Sequence, residues 1–187
     1  MIIIEHLFQV SQYKKIIFLD RDGVINVNRP NYVRLKSDIE IIKTAVDALI
    51  QFRNNNIGIV IITNQQAIGK NILSIEEAVG IHLEVIKKLN IKDNSIIASM
   101  ICPHLESKNC LCRKPGIKMI QTASEMFGVE MKNNFFIGDS LTDILAAKKA
   151  DLTPICVGNS VDKKIPISSN ALFFDDLLGA SNYICPQ

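Results

Sequence analysis

Asp20 and Asp22, one residue apart in FLDRDGVIN, close an apolar run that begins at Ile16. Carboxylates this close repel, so the stretch requires a cation or a shared proton beside it. Two further apolar runs end in the same manner, one at Thr63 and Asn64 in ITNQ, the other at Asp139 and Asp143 in FFIGDSLTD. If the three runs are neighbours, these side chains meet at one edge. A set of hard oxygens like this suits Mg²⁺, which takes few protein carboxylates and leaves room for a phosphate. An Asp at a strand end also caps helices and turns, which accounts for any one of these residues but poorly for all together. In CRKPG, Arg113 and Lys114 precede Pro115, which restricts the backbone ahead of a helix start. Held there, the two cations could clamp phosphate oxygens, Arg as a fork and Lys as a point charge. Alone, such a pair is an ordinary solvated feature.

A second constellation lies just before that pair. CPHLESKNCLC supplies Cys102, His104, Cys110 and Cys112, three thiols and an imidazole within eleven residues. They make a complete tetrahedral zinc set with no position open for water, so the site is expected to be structural. A buried apolar thiol is the ordinary role of any single Cys. Cys156, in an apolar run, and Cys185, in the tail, are assigned that role, and His6 and His82 are assigned to packing.

Positioning these groups requires a scaffold, and the sequence has the pattern of one. Apolar strand-length runs (KIIFLD, IGIVIITNQ, IIASMIC, FFIGD, TPICVG) alternate with helical stretches (TAVDALIQFRNNN, a segment opened by Ser74 and Glu77 as a capping box, GIKMIQTASEMFG, LTDILAAKKA). ALFFDDLLGA adds a short strand and helix. This order predicts an α/β fold, a Rossmann-like parallel sheet with helices on both faces, whose ligands bind beyond the carboxyl ends of the strands. With 187 residues, 48% hydrophobic, a single domain over 1–187 is expected. Twenty-one basic against 19 acidic side chains are too balanced for a nucleic-acid partner. No apolar run approaches the ~20 residues that span a bilayer, and MIIIEHLFQVSQYKK has neither a basic start nor a cleavage site. A cytoplasmic protein with no membrane partner is expected. An odd count of five Cys, three of them crowded together, favours metal over disulfides in a reduced compartment.

DRDGV, ITN, the Lys of CRKP and GDSLTD, in this order and spacing, resemble the haloacid dehalogenase superfamily of phosphohydrolases over about residues 14–178. The resemblance implies Asp20 as the nucleophile that forms an aspartyl-phosphate and Asp22 as the general acid and base. It implies Thr63 and Asn64 holding the phosphoryl group, Lys114 neutralising charge, and Mg²⁺ held by Asp20, Asp139 and the Asp22 carbonyl. The zinc loop at 102–112 narrows it to the histidinol-phosphatase-like branch, which includes D-glycero-D-manno-heptose 1,7-bisphosphate 7-phosphatases and histidinol-phosphate phosphatases. DRDGVINVNRPNYV and TNQQAIGKNILS resemble the heptose enzymes, whose products feed lipopolysaccharide core synthesis. By that likeness Asn28, Arg29, Pro30, Asn31, Tyr32, Gln65, Gln66, Arg113 and Ser140 border the substrate. CRKPGIKM and CPHL are closer to the histidinol-phosphate enzymes, and the heptose reading is preferred. The stretches after Asp22 and Asn64 are too short for a large cap domain. A monomer acting on a small phosphorylated sugar is expected. A phospho-receiver domain shares the sheet, the acids and the Lys, but its acidic pair and its acceptor lie on different strands. A zinc-binding interaction module leaves the acid site unexplained.

Overall fold

Successive side chains of a strand face opposite sides of a sheet, so a strand apolar at every position must be covered twice. The structure, a computed structural model, describes residues 1–7, 12–91, 95–158 and 170–186. Among them, seven strands form one sheet: β1 (Ile2–Glu5), β2 (Lys15–Leu19), β3 (Ile57–Asn64), β4 (Ile96–Cys102), β5 (Phe135–Gly138), β6 (Thr153–Val157) and β7 (Leu172–Phe174). Their order is β1-β4-β3-β2-β5-β6-β7. Every pairing is parallel except that of β1, which runs antiparallel to β4 with Ile2 opposite Ile101.

Ile17 and Leu19 of β2, with Ile59 and Ile61 of β3, face one core. That core is closed by α1 (Lys43–Asn54), α3 (Ile75–Lys88) and α6 (Leu177–Ile184), whose Leu49, Phe52, Ile81, Val85 and Leu177 pack into it. Ile16, Phe18, Val60 and Ile62 face the opposite core, against Met119 and Ile120 of α4 (Lys118–Phe127) and Ala146 and Ala147 of α5 (Leu141–Lys149). In α1, Ala45, Ala48, Leu49 and Phe52 fall at the spacing of a single helix face. The capping box of α3 forms as its sequence indicates, Glu77 N donating to Ser74 Oγ (3.1 Å) and Ser74 N to Glu77 Oε2 (2.7 Å). A short helix, α2 (Gln66–Gly69), follows β3 directly.

The sequence pattern had not indicated β1. It occupies the β4 edge of an otherwise parallel sheet. The chain runs from β2 outward through β3 to β4, then crosses to β5 on the other side of β2. Such a reversal opens a crevice beyond the carboxyl ends of the strands on either side. Asp20 follows β2 and Asp139 follows β5, so both stand at this switch point.

Candidate active site

Lys114 lies at the centre of the crevice, 2% exposed. Its Nζ is 2.9 Å from Asp20 Oδ2 and 2.6 Å from Asp143 Oδ1, and it donates to the Ile62 carbonyl at 2.9 Å. Burial disfavours the ammonium, but the two carboxylates outweigh it and raise its pKa above the ordinary lysine value. Burial pushes the Asp20 carboxyl up to about 8, Lys114 opposing and Asp143 and Asp139 adding to the rise. Asp139 rises to about 7, by burial first and then by Asp143.

Oxygens of Asp20, Asp139 and Asp143 lie within 4.8 Å of one another. When all three are ionised, these carboxylates against the one ammonium carry a net charge of −2, which a single divalent cation would offset, and the all-oxygen donor set fits Mg²⁺. Close backbone approach makes room for the group. Gly23, at φ +83, leaves no space for a Cβ, which would stand 1.9 Å from Asp139 Oδ2. Asp143 has a second task as the N3 residue of α5, accepting from Ser140 N (3.1 Å) and Ser140 Oγ (2.6 Å).

The Asp22 side chain lies outside this group. Arg21, the residue between them, takes the Asp22 carboxylate at 2.8 Å. Burial alone would raise the Asp22 pKa. Arg21 and the hydrogen bonds from Asn26 and Gln65 outweigh it, so Asp22 titrates below the usual carboxylate value. The cation that the adjacent aspartates call for is therefore partly protein: Arg21 for Asp22, Lys114 for Asp20.

The polar residues that end β3 and follow it turn inward. Asn64 Nδ2 donates to the Lys114 carbonyl (3.2 Å), and Lys114 N donates to Asn64 Oδ1 (3.1 Å), a two-way lock that aims the lysine. Thr63, 1% exposed, accepts at Oγ1 from Gln65 Nε2 (3.0 Å). A cavity of about 350 Å³ opens above these groups. Asp20, Asp22, Asn28, Arg29, Pro30, Tyr32, Thr63, Asn64, Gln65, Gln66, Arg113, Lys114, Asp139 and Ser140 all line it. Asn31 does not; its carbonyl accepts from Arg34 Nε (2.8 Å) at the exposed end of the loop. Val33 and Thr142 line the cavity without having been expected to, and neither residue type carries a chemical signal in sequence. Arg29 is paired with Glu40 (2.8 Å), and Arg113 Nη1 reaches the His104 carbonyl (3.4 Å).

Cys102, His104, Cys110 and Cys112 converge beside the cavity. Their sulfurs are 3.4 to 3.7 Å apart, with His104 Nδ1 at 3.3 Å from Cys112 and 3.6 Å from Cys102. Zn–S bonds of about 2.3 Å give a tetrahedron with S···S edges of about 3.8 Å, so the four atoms fit a zinc ion. His6 and His82 do pack, as expected: their rings stack at 6.2 Å, and His6 Nε2 is 2.9 Å from Ser99 Oγ. Cys156 and Cys185 are both buried.

Residues 15–164 match the family model described as polynucleotide kinase 3 phosphatase. A D-glycero-beta-D-manno-heptose-1,7-bisphosphate 7-phosphatase of Pseudomonas aeruginosa is 26% identical over 172 residues, 90% of this chain and 97% of the relative. The D-glycero-alpha-D-manno-heptose-1,7-bisphosphate 7-phosphatase of Campylobacter jejuni is 34% identical over 150 residues, 80% of this chain and 86% of its own. In fold, the chain matches the crystal structure of D,D-heptose 1,7-bisphosphate phosphatase from B. bronchiseptica, complexed with magnesium and phosphate. The TM-score is 0.83 at 24% identity, covering 91% of this chain and 97% of that one.

Proposed function

The chain belongs to the polynucleotide kinase 3 phosphatase family, with the haloacid dehalogenase fold, and is a phosphoric monoester hydrolase; we propose that it removes the 7-phosphate of D-glycero-D-manno-heptose 1,7-bisphosphate. The observation that carries this reading is the Asp20–Lys114 pair beneath a cavity sized for one small phosphorylated sugar.

In this reading an Asp20 oxygen attacks phosphorus, the P–O bond to the sugar breaks, and Asp22 gives its proton to the departing oxygen. The aspartyl-phosphate left on Asp20 is then displaced by water. Asp22 takes the proton of that water, so one proton is shuttled per cycle and Asp20 is regenerated. The donors around Asp22 favour the ionised form that the second step needs. Lys114 offsets charge on Asp20 and the transferring group, and Thr63 borders that group. Asp20, Asp139 and Asp143, with the Asp22 carbonyl, would hold Mg²⁺, which when bound neutralises charge on the phosphoryl oxygens. Zinc in the four-ligand loop is structural. The reading extends to a cytoplasmic monomer, a compartment in keeping with free thiols assembled for metal. No helix among the described residues is long and apolar enough to cross a membrane.

Comparison of kcat/KM for both anomers of the heptose bisphosphate, other sugar phosphates and histidinol phosphate tests the substrate. The heptose bisphosphate is expected to lead by at least about tenfold, the discrimination of roughly 1.4 kcal/mol. A lead for histidinol phosphate overturns the assignment.

A further inference from the structure

The Asp22 carboxylate accepts from three different side chains, and none of them is a group expected to take part in the chemistry. Arg21 reaches Oδ1 through Nε (3.2 Å) and Nη2 (2.9 Å), and Oδ2 through Nη2 (2.8 Å). Asn26 Nδ2 donates to Oδ1 at 2.9 Å, and Gln65 Nε2 to Oδ2 at 2.7 Å. Arg21 is 2% exposed, Asn26 fully buried and Gln65 8% exposed, so these donors are fixed by the core and hardly reach solvent. Each is placed by backbone as well. The Arg21 carbonyl accepts from Ile25 N (2.8 Å) and Asn26 N (3.2 Å), closing the turn after β2, while Gln65 N donates to the Cys102 carbonyl (2.8 Å). The same Gln65 Nε2 also reaches Thr63 Oγ1, so one amide nitrogen joins the carboxylate after β2 to the hydroxyl of β3.

We infer that Arg21 and Gln65 are positioning residues that fix the Asp22 carboxylate where it can exchange a proton with the leaving oxygen. The inference rests on the proposed role of Asp22 as acid. A side chain after a strand end has rotamers to choose among, and one misplaced by about 1 Å can cost on the order of 10² in rate. Two neighbours bonding both oxygens remove that freedom. Gln65, expected from the sequence to border substrate, thereby gains a task directed into the protein. The fork of Arg21 matters as much as its charge, because two nitrogens on a carboxylate fix its plane where an ammonium would fix one distance.

A positioning role for an acid is separable from general packing by the leaving group. A sugar alkoxide must be protonated as it departs, whereas dinitrophenolate leaves without a proton. Single-turnover release of leaving group is therefore measured for Gln65→Met, Arg21→Lys and Asp22→Asn, on the heptose bisphosphate and on 2,4-dinitrophenyl phosphate. Gln65→Met and Arg21→Lys are expected to slow sugar release by about 10² and, whatever loss the two substrates share, at least about tenfold more than dinitrophenolate release. Asp22→Asn is expected to show the same split, larger. Equal losses on both substrates, or no loss, in Gln65→Met and Arg21→Lys while Asp22→Asn keeps its split overturn the inference alone. No split in Asp22→Asn overturns the acid role and the inference with it. Arg21→Lys retains the charge, so a folded protein remains to be measured even if Gln65→Met proves unstable.

Discussion

Lys114 spends its ammonium entirely on protein: Asp20, Asp143 and the Ile62 carbonyl. Removing it leaves two buried carboxylates facing each other, so Lys114→Met is expected to cost about 3–5 kcal/mol of stability as well as all measurable turnover, read from urea melts and phosphate release. Asp20→Asn is expected to abolish turnover with the melt nearly unchanged, since Asp143 still pairs the Lys114 ammonium and the amide keeps the volume; substantial activity in a deamidation-free preparation refutes the nucleophile. His82 gives a pH test at a residue that takes no part in the chemistry. Burial, then the charge of Arg21, pushes its pKa down from 6.5 to about 3, so the fold holds it neutral. The unfolded chain binds that proton near pH 6.5 and the folded chain only near 3. Stability from this source is therefore complete above pH 6.5 and lost as pH falls toward 3. Urea melts of His82→Phe across this window are expected to show a pH slope shallower by one proton; an unchanged slope sinks the claim.

At the scale of elements, the loop from Cys102 to Cys112 runs straight into Arg113 and Lys114. Zinc bound by the four ligands would, with the Asn64 lock, fix the same stretch of backbone from its two sides. Zinc removal or Cys110→Ser is expected to lower kcat/KM by about 10² with circular dichroism little changed, and metal analysis to find about one zinc per chain. Full activity in zinc-free protein would mean that the Asn64 lock suffices. This loop was legible in sequence because its four Cys and His residues are close in the chain and chemically distinctive, as were the central strands, whose apolar runs are nearly continuous. The inward turn of Asn64 and Gln65 was not: TNQ reads alike whether its amides face a phosphate or the protein, and only the approach of Lys114 and Asp22 decides. Nor could residue types show that Arg21 would draw the Asp22 carboxylate away, leaving Asp143, also a helix cap, to complete the acidic group. The strand β1 was hidden for another reason, since four residues carry too little periodicity to distinguish an edge strand from an apolar tail.

Across the whole molecule, β1 is the feature with the longest reach. All seven residues of β4 are buried, and β1 with the amides of His6 and Leu7 takes up the hydrogen bonds along its edge. Deleting residues 1–7 opens an apolar edge, and the truncated protein is expected to associate in a concentration-dependent way in light scattering. A monodisperse truncated protein would show that the edge is guarded otherwise. The same pairing sets a schedule during synthesis. Ile2 is made well before its partner Ile101, which follows 99 residues later. At translation speeds of roughly 5–20 residues per second, Met1–Glu5 waits about 5 to 20 s without the strand it belongs beside. Meanwhile β2 and β3 emerge and can pair with each other. The first strand of the sheet is thus placed later than β2 and β3, once β4 has been made, while β5, β6 and β7 are still to come.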